Sequence, residues 1–352
     1  GLSDAAPLAI FQDEPPQIPF AGILAPTDAC LGVPGRPQSA SGQTTRTMGN
    51  SQSPLLLFFI DGLGIGTRGP HNPFDGLSDA APLAIFQDEP PQIPFAGVLA
   101  PTDACLGVPG RPQSASGQTT ILTGINAPAA TGAHKQGFPN QPLLDIIREH
   151  SIFLQLKKSG VDLITFANTY TQQFFDRRPR WISATTAAVE AANLRFNVVE
   201  DLKAGRAVFH DFTNALLRER GETVSIRSPE EAASVLAKIV AMHRFTLYEY
   251  FITDKVGHTQ DHEAARTLIP TLAKLIRSLL AEINLNNTTV IMTSDHGNLE
   301  DLSARNHTLN LVPTIVWGRH RHSIAASIRS LTDITPAIVD VLVKGRIDGQ
   351  SG

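Results

Sequence analysis

LLLFFIDGLGIG (residues 55–66) joins six apolar residues to an aspartate and a glycine-rich turn. An amphipathic helix would space its apolar residues every three or four positions, whereas this run is unbroken. Six consecutive apolar residues suit a strand buried on both faces, the kind found in parallel sheets covered by helices. Asp61 then stands directly after the strand, where an aspartate most often caps a turn.

The same alternation continues downstream. LLDIIREHSIFLQLKKSG (143–160) reads as one helix stopped by Gly160, and VDLITFAN (161–168) as a strand. PEEAASVLAKIVAMHRF (229–245), with acidic residues in its first turn, reads as a helix leading into the strand FTLYEYFI (245–252). DHEAARTLIPTLAKLIRSLLAEI (261–283) is a second amphipathic helix, before the strand TTVIMTS (288–294). LVPTIVW (311–317) and DITPAIVDVLV (333–343) read as a last strand and a last helix. The pattern predicts an α/β fold, doubly wound around a largely parallel sheet. Its core spans residues 48–168 and 228–352. The less regular segment 169–227, richer in arginine and aromatics, is expected to be a small inserted cap.

Residues Gly1 to Thr45 recur as Gly76 to Thr120 with a single difference, Ile23 against Val98. Solenoid repeats diverge around a pattern, and near-identity over one long block is of a different kind. Two identical segments cannot fill one slot in one core. The downstream copy continues into ILTGIN (121–126), while the upstream copy breaks off into RTMGN (46–50). Residues 1–47 are therefore expected to contribute nothing to activity, and Ser114 rather than its twin Ser39 to occupy the working position. Cys30 and Cys105, the two cysteines of the chain, are copies of one position, so no disulfide framework is expected.

The 352 residues, 42% of them hydrophobic, can bury a large core. A formal net charge of -4 gives no reason to expect a nucleic-acid or anionic-membrane partner. No apolar stretch approaches the ~20 residues of a membrane-spanning helix. The opening GLSDAAPLAIFQDE is acidic and broken by proline, unlike a secretory signal, so a cytoplasmic location is the expectation.

Four motifs fall at strand ends or a helix start, where open α/β sheets carry their sites. Asp61 ends FFIDG. In QSASGQTTILTG (113–124), Ser114 precedes a helix opened by Gly117 and Gln118, where unpaired N–H groups can hold a phosphate; Ser114 or Ser116 could equally serve as an N-cap. In ITDKVGHTQ (252–260), Asp254 and His258 are four apart, so one helical turn brings carboxylate and imidazole together; an ordinary surface hydrogen bond would look the same. In TSDHGNLEDLSARNHTLNLVP (293–313), Asp295 and His296 follow a strand and His307 follows a short loop. Three aspartates, three histidines and a serine at the ends of separate elements supply two oxygen- and nitrogen-rich sites suited to divalent ions such as Mn²⁺ or Zn²⁺.

The order Asp, Ser, Asp-x-x-x-His, Asp-His-Gly, His resembles the alkaline phosphatase superfamily. TSDHGN, HTLNLVP and the spacing within SASGQTTILTG are most similar to its cofactor-independent phosphoglycerate mutase and phosphopentomutase branch. The run FLQLKKSGVDLITFAN shares its general character with the nucleotide pyrophosphatase/phosphodiesterase branch. The resemblance implies an alkaline phosphatase-like fold. It implies one metal held by Asp254, His258 and His307, and a second by Asp61, Ser114, Asp295 and His296. Ser114 would be the nucleophile that becomes a phosphoserine, acting on a small phosphorylated substrate as a phosphomutase. A phosphatase or phosphodiesterase using the same metals is the alternative, and a non-catalytic binding module a third.

The mutases of that branch carry a much larger inserted domain than the roughly 60 residues at 169–227. Candidate substrate-binding groups are Arg177, Arg178 and Arg180 in FFDRRPRW, where an arginine fork would suit phosphate, and His134 and Lys135 in GAHKQGFP. A solvated surface run and a plain loop are the structural alternatives.

Overall fold

The computed structural model describes residues 53–345. The duplicated segment 1–47, with Cys30 and Ser39, lies outside the described residues. The strands are β1 (Leu55–Ile60), β2 (Val98–Thr102), β3 (Ile164–Phe166), β4 (Thr169–Tyr170), β5 (Asn197–Val198), β6 (Phe245–Tyr250), β7 (Thr289–Thr293) and β8 (Val312–Gly318). Six of them form one sheet in the order β2-β8-β7-β1-β6-β3, while β4 and β5 make a separate parallel pair. β3, β6, β1 and β7 run parallel; β8 is antiparallel to both β7 and β2.

β1 lies between β6 and β7, and all six of its residues are buried. Leu55, Leu57 and Phe59 pack with the helices Ser114–Thr123, Ile152–Lys158, Ala184–Ala191 and Ile334–Lys344 on one face. Leu56, Phe58 and Ile60 pack with Pro229–Met242 and His262–Glu282 on the other. A strand covered on both faces has no polar side to alternate with, which is why its sequence is uniformly apolar.

Three details differ from the sequence expectation. The helix expected over 143–160 is two, Gln141–His150 and Ile152–Lys158. Ser151 adopts φ -57°, ψ 142° between them, and its hydroxyl accepts the N–H of Leu154 at 3.3 Å, an N-cap in mid-sequence. The strand expected over 161–168 pairs with β6 only at Ile164–Phe166, because Leu163 has φ 58° and breaks the extended run. β2 was not read from sequence. It contains Pro101, yet it pairs with β8 alone at the sheet edge, where a missing N–H is tolerated.

Segment 169–227 is knit into the body rather than standing off from it. Helix Ala184–Ala191 buries Ala184, Ala187, Ala188 and Val189 in the same cluster as β1. Val208 exchanges backbone hydrogen bonds with Ala167 and Thr169, extending the sheet beyond β3. Among the described residues, no helix is long and apolar enough to cross a membrane.

Helix Pro229–Met242 is held by local and tertiary terms of different size. The Ser228 hydroxyl accepts the Glu231 N–H at 3.2 Å, and the Glu231 carboxylate accepts the Ser228 N–H at 2.8 Å. Ser228→Ala is expected to lower stability by about 1 kcal/mol, and Leu236→Ala, at a fully buried position, by about 2–5 kcal/mol in urea unfolding.

Candidate metal centre

Because β1, β6 and β7 are parallel neighbours, their carboxyl ends lie side by side on one edge of the sheet. Asp61 follows β1 directly, and its N–H donates to the carbonyl of Tyr250 at 2.9 Å. Asp254 lies in the first turn of helix Ile252–Thr259, after β6. Asp295 and His296 follow β7 and are fully buried. The loop after them folds back through the Gly297–Thr308 bridge, which returns His307 to the same edge.

Ser114 is the first residue of helix Ser114–Thr123, with Gln113 as its N-cap, so the helix opens three residues earlier than its glycine suggested. Neither serine caps it. Ser116 accepts the N–H of Lys135 at 3.0 Å and donates to the Gln113 carbonyl at 3.2 Å. The Ser114 hydroxyl instead meets His296 Nε2 at 2.9 Å. Close approach at this point requires glycine: a Cβ on Gly117 would lie 2.9 Å from the Asp295 carbonyl oxygen.

The remaining ligand candidates converge. His258 Nε2 lies 3.3 Å from one Asp254 oxygen, and His307 Nε2 lies 3.5 Å from the other. His296 Nε2 is 3.2 Å from Asp61 and 3.5 Å from Asp295. The rings of His296 and His307 stack with centroids 3.6 Å apart. Backbone carbonyls aim the other imidazole nitrogens: Pro112 at 2.9 Å for His307 Nδ1, Arg305 at 2.7 Å for His258 Nδ1.

Two groups have ligand atoms all within 4.8 Å of one another: Asp254, His258 and His307, and Asp61, Asp254 and His296. Asp254 thus belongs to both, where the sequence reading gave it to one site only. The reason is local: as a first-turn residue of the helix that follows β6, it meets His258 and His307 as well as Asp61 and His296.

Burial dominates the electrostatics. It pushes the Asp61 carboxyl well above the usual carboxylate range, and the charges of Asp254 and Glu249 push the same way. Asp295 is raised by burial and then by Asp61. For Asp254, burial acts upward but is outweighed by the hydrogen bond from His258 and the charges of His296, His258 and His307, which hold it below its ordinary value. Burial and His296 push His307 down to about 3, and Asp254 raises His258. Asp61 Oδ1 and Asp295 Oδ2 are buried without a hydrogen-bond donor. Unsatisfied carboxylate oxygens beside imidazole nitrogens fit divalent cations, which take oxygen and nitrogen donors of this type.

The candidate substrate-binding groups lie differently. Arg178 is exposed and ion-paired with Glu190, and Arg180 stacks over Trp181 with 5.0 Å to the ring centroid. Arg177 is exposed at the end of helix Gln172–Asp176. The structure shows no contact between these arginines and the seven ligand candidates. His134 Nε2 lies 3.2 Å from the Cys105 carbonyl, and Lys135 touches the Ser114 helix through its backbone, with an exposed side chain.

Four supporting residues were not read from sequence. Gln118 donates to Asp61 at 3.1 Å, one helical turn past Ser114. Asn298 donates to Asp254 at 2.7 Å. The buried Glu300 accepts the N–H groups of Gly64 at 2.9 Å and Asn298 at 2.8 Å and the hydroxyl of Thr308, bracing the β1 turn against the His307 loop. Arg111 donates to the His307 carbonyl at 2.7 Å. Gln118, Asn298 and Glu300 sit inside motifs already singled out, but single polar residues in loops carry no spacing signal that separates a brace from a solvated side chain.

Buried carboxylate oxygens without donors destabilise a fold unless a cation offsets them. Asp295→Asn is therefore expected to raise the melting temperature of the chelator-stripped protein while weakening divalent-ion binding at least about tenfold, read by melts with and without metal.

Residues 218–344 match the model of the metalloenzyme superfamily. Over 124 residues the chain is 32% identical to a 2,3-bisphosphoglycerate-independent phosphoglycerate mutase of Ehrlichia ruminantium, covering 33% of this chain and 25% of the relative. A Francisella tularensis protein of the same description is 31% identical over 132 residues, 34% of this chain and 26% of its own. The match thus spans about a quarter of the length of these curated relatives. Among solved structures, the alkaline phosphatase from the Antarctic bacterium TAB5 superposes with a TM-score of 0.46 at 13% identity, covering 85% of this chain and all of that one (100%). The segment that matches the superfamily model takes in Asp254, His258, Asp295, His296 and His307, five of the seven ligand candidates.

Proposed function

We propose that the chain transfers phosphoryl groups on a small phosphorylated metabolite through a phosphoserine at Ser114, in the manner of a phosphomutase. The observation that carries this reading is the Ser114 hydroxyl, 2.9 Å from His296 at a helix N-terminus, beside two ligand groups that share Asp254. Asp254, His258 and His307 would hold one divalent ion; Asp61, Asp295 and His296, with Asp254 and the Ser114 oxygen, a second. The oxygen and nitrogen donors suit Mn²⁺ and Zn²⁺ alike. Such ions, when bound, lower the pKa of a serine hydroxyl and stabilise charge on phosphoryl oxygens.

The protein's own groups supply the rest. Ser114 Oγ attacks phosphorus, the bond from phosphorus to the ester oxygen breaks, and the departing oxygen takes up a proton. The partial positive charge at the helix start favours the anionic group. Gln118 fixes the Asp61 carboxylate and Asn298 fixes Asp254, so neither has to reorganise as charge develops. The phosphoryl group then passes from Ser114 to a hydroxyl of the bound product.

A phosphatase or phosphodiesterase, passing the group to water, is the second reading. It is favoured by two of the cap arginines: Arg178 is paired with Glu190 and Arg180 is stacked on Trp181, so both are already engaged within the segment. The mutase relatives favour the first.

Incubation of Mn²⁺- or Zn²⁺-loaded protein with labelled phosphate esters is expected to give a phosphoserine at Ser114 by mass spectrometry. Ser114→Ala should lose it and lower turnover by about 10³-fold or more. Label moving between positions of one metabolite identifies a mutase, and release of p-nitrophenol from its phosphate mono- or bis-ester identifies a hydrolase. Wild-type turnover in Ser114→Ala would sink the reading.

A further inference from the structure

We propose that a cavity at residues 202–227, built from none of the metal-ligand candidates, binds a small anion that also carries a hydroxyl. The inference goes beyond the phosphoryl-transfer reading and does not rest on it.

The cavity has a volume of about 330 Å³ and is lined by Lys203, Asn214, Thr223, Ser225 and Arg227, with Leu202 and Val224 as its apolar wall. None of these residues is hydrogen-bonded or ion-paired to a ligand candidate, and no acid lines the cavity. Arg227 Nη2 donates to the Leu202 carbonyl at 2.7 Å, and the Arg227 N–H donates to the Thr213 carbonyl at 2.9 Å, which fixes the guanidinium at the wall. Among the described residues, neither Arg227 nor Lys203 pairs with a carboxylate. Burial pushes the Arg227 pKa down. Glu231, whose carboxylate accepts the Ser228 N–H instead, offsets only part of that.

Two polar atoms of this wall are buried without a hydrogen-bond partner, Arg227 Nη1 and Asn214 Oδ1. Asn214 is 1% exposed, so its acceptor has no route to solvent. Its amide is also fixed: Nδ2 donates to the Ser225 carbonyl at 2.9 Å, and the backbone N–H donates to the Asp211 carbonyl at 2.9 Å. An unmet donor on a cation and an unmet acceptor on an amide each cost stability when buried. An apolar ligand would leave both unmet, and a simple inorganic anion would leave Asn214 unmet. A molecule with both groups meets both atoms: its anionic oxygens face Arg227 and Lys203, and its hydroxyl donates to Asn214. The hydroxyls of Thr223 and Ser225 supply further donors for the anion.

The test titrates metal-loaded protein with L-lactate, propionate, 2-hydroxyethylphosphonate and ethylene glycol, following the methyl resonances of Leu202 and Val224 by NMR. L-lactate, 2-hydroxyethylphosphonate or both are expected to shift these methyls saturably, and ethylene glycol is expected to leave them in place. Propionate, which differs from lactate by the hydroxyl, should bind at least about threefold more weakly than lactate if lactate binds. A response to lactate alone identifies a carboxylate ligand, and to the phosphonate alone a phosphate-like one. Arg227→Gln, which can still donate to the Leu202 carbonyl, should weaken binding at least about tenfold. Lys203→Ala, at an exposed side chain, should weaken it about threefold with folding and turnover at Ser114 unchanged. No saturable shift with either hydroxylated anion up to about 10 mM would overturn the inference. So would shifts that both substitutions leave intact, or propionate binding as tightly as lactate. Failure to form phosphoserine at Ser114 would sink the transfer reading and leave this one standing.

Discussion

Three carboxylates, Asp61, Asp254 and Asp295, are brought to the ends of three adjacent parallel strands, where solvent is largely excluded. Their mutual repulsion in a poorly solvating setting is the constraint on which the rest of the structure turns. The three histidines, the Gln118 and Asn298 donors, and the helix start at Ser114 all address it. Burial and repulsion raise two of the carboxyls, and the histidines hold down the third. An arrangement so unfavourable by itself makes chemical sense as a cation site.

Most of the fold was legible because β1 announces its burial on both faces, and the helices that cover it keep regular apolar spacing. The failures have physical causes of their own. A serine that could be solvent-facing inside a helix serves at 151 as a cap, which splits one predicted helix into two. β2 was not read at all, and it accommodates Pro101 because its edge position needs no donor there. The segment 169–227 reads as a cap because it is less regular and richer in arginine and aromatics. The short alanine-rich helix at 184–191 nevertheless packs into the central core.

The candidate site was legible as a list of residues and not as a geometry. Asp and His residues at strand ends could be listed from spacing, but which carboxylate lies between which imidazoles depends on how a helix turn crosses the neighbouring strand. Glu300 shows the same limit from another side. It reads as one of two adjacent acids in NLED, yet it ties the Gly64 turn to Asn298 and Thr308, linking the loops that bear Asp61 and His307. Glycine is required on both sides of that brace: a Cβ on Gly64 would lie 2.1 Å from Glu300, and one on Gly297 2.1 Å from Thr308.

Asp254 contributes one oxygen toward His258 and the other toward His307, and it stands in both ligand groups. A carboxylate with two claimants cannot be indifferent to either. Occupying one group alters the charge and the orientation that the other group meets, so the two affinities are thermodynamically linked, by the same factor in each direction. With an ion in each group, loading curves for this centre would be curves for a coupled pair, with a single carboxylate setting the sign and size of the cooperativity.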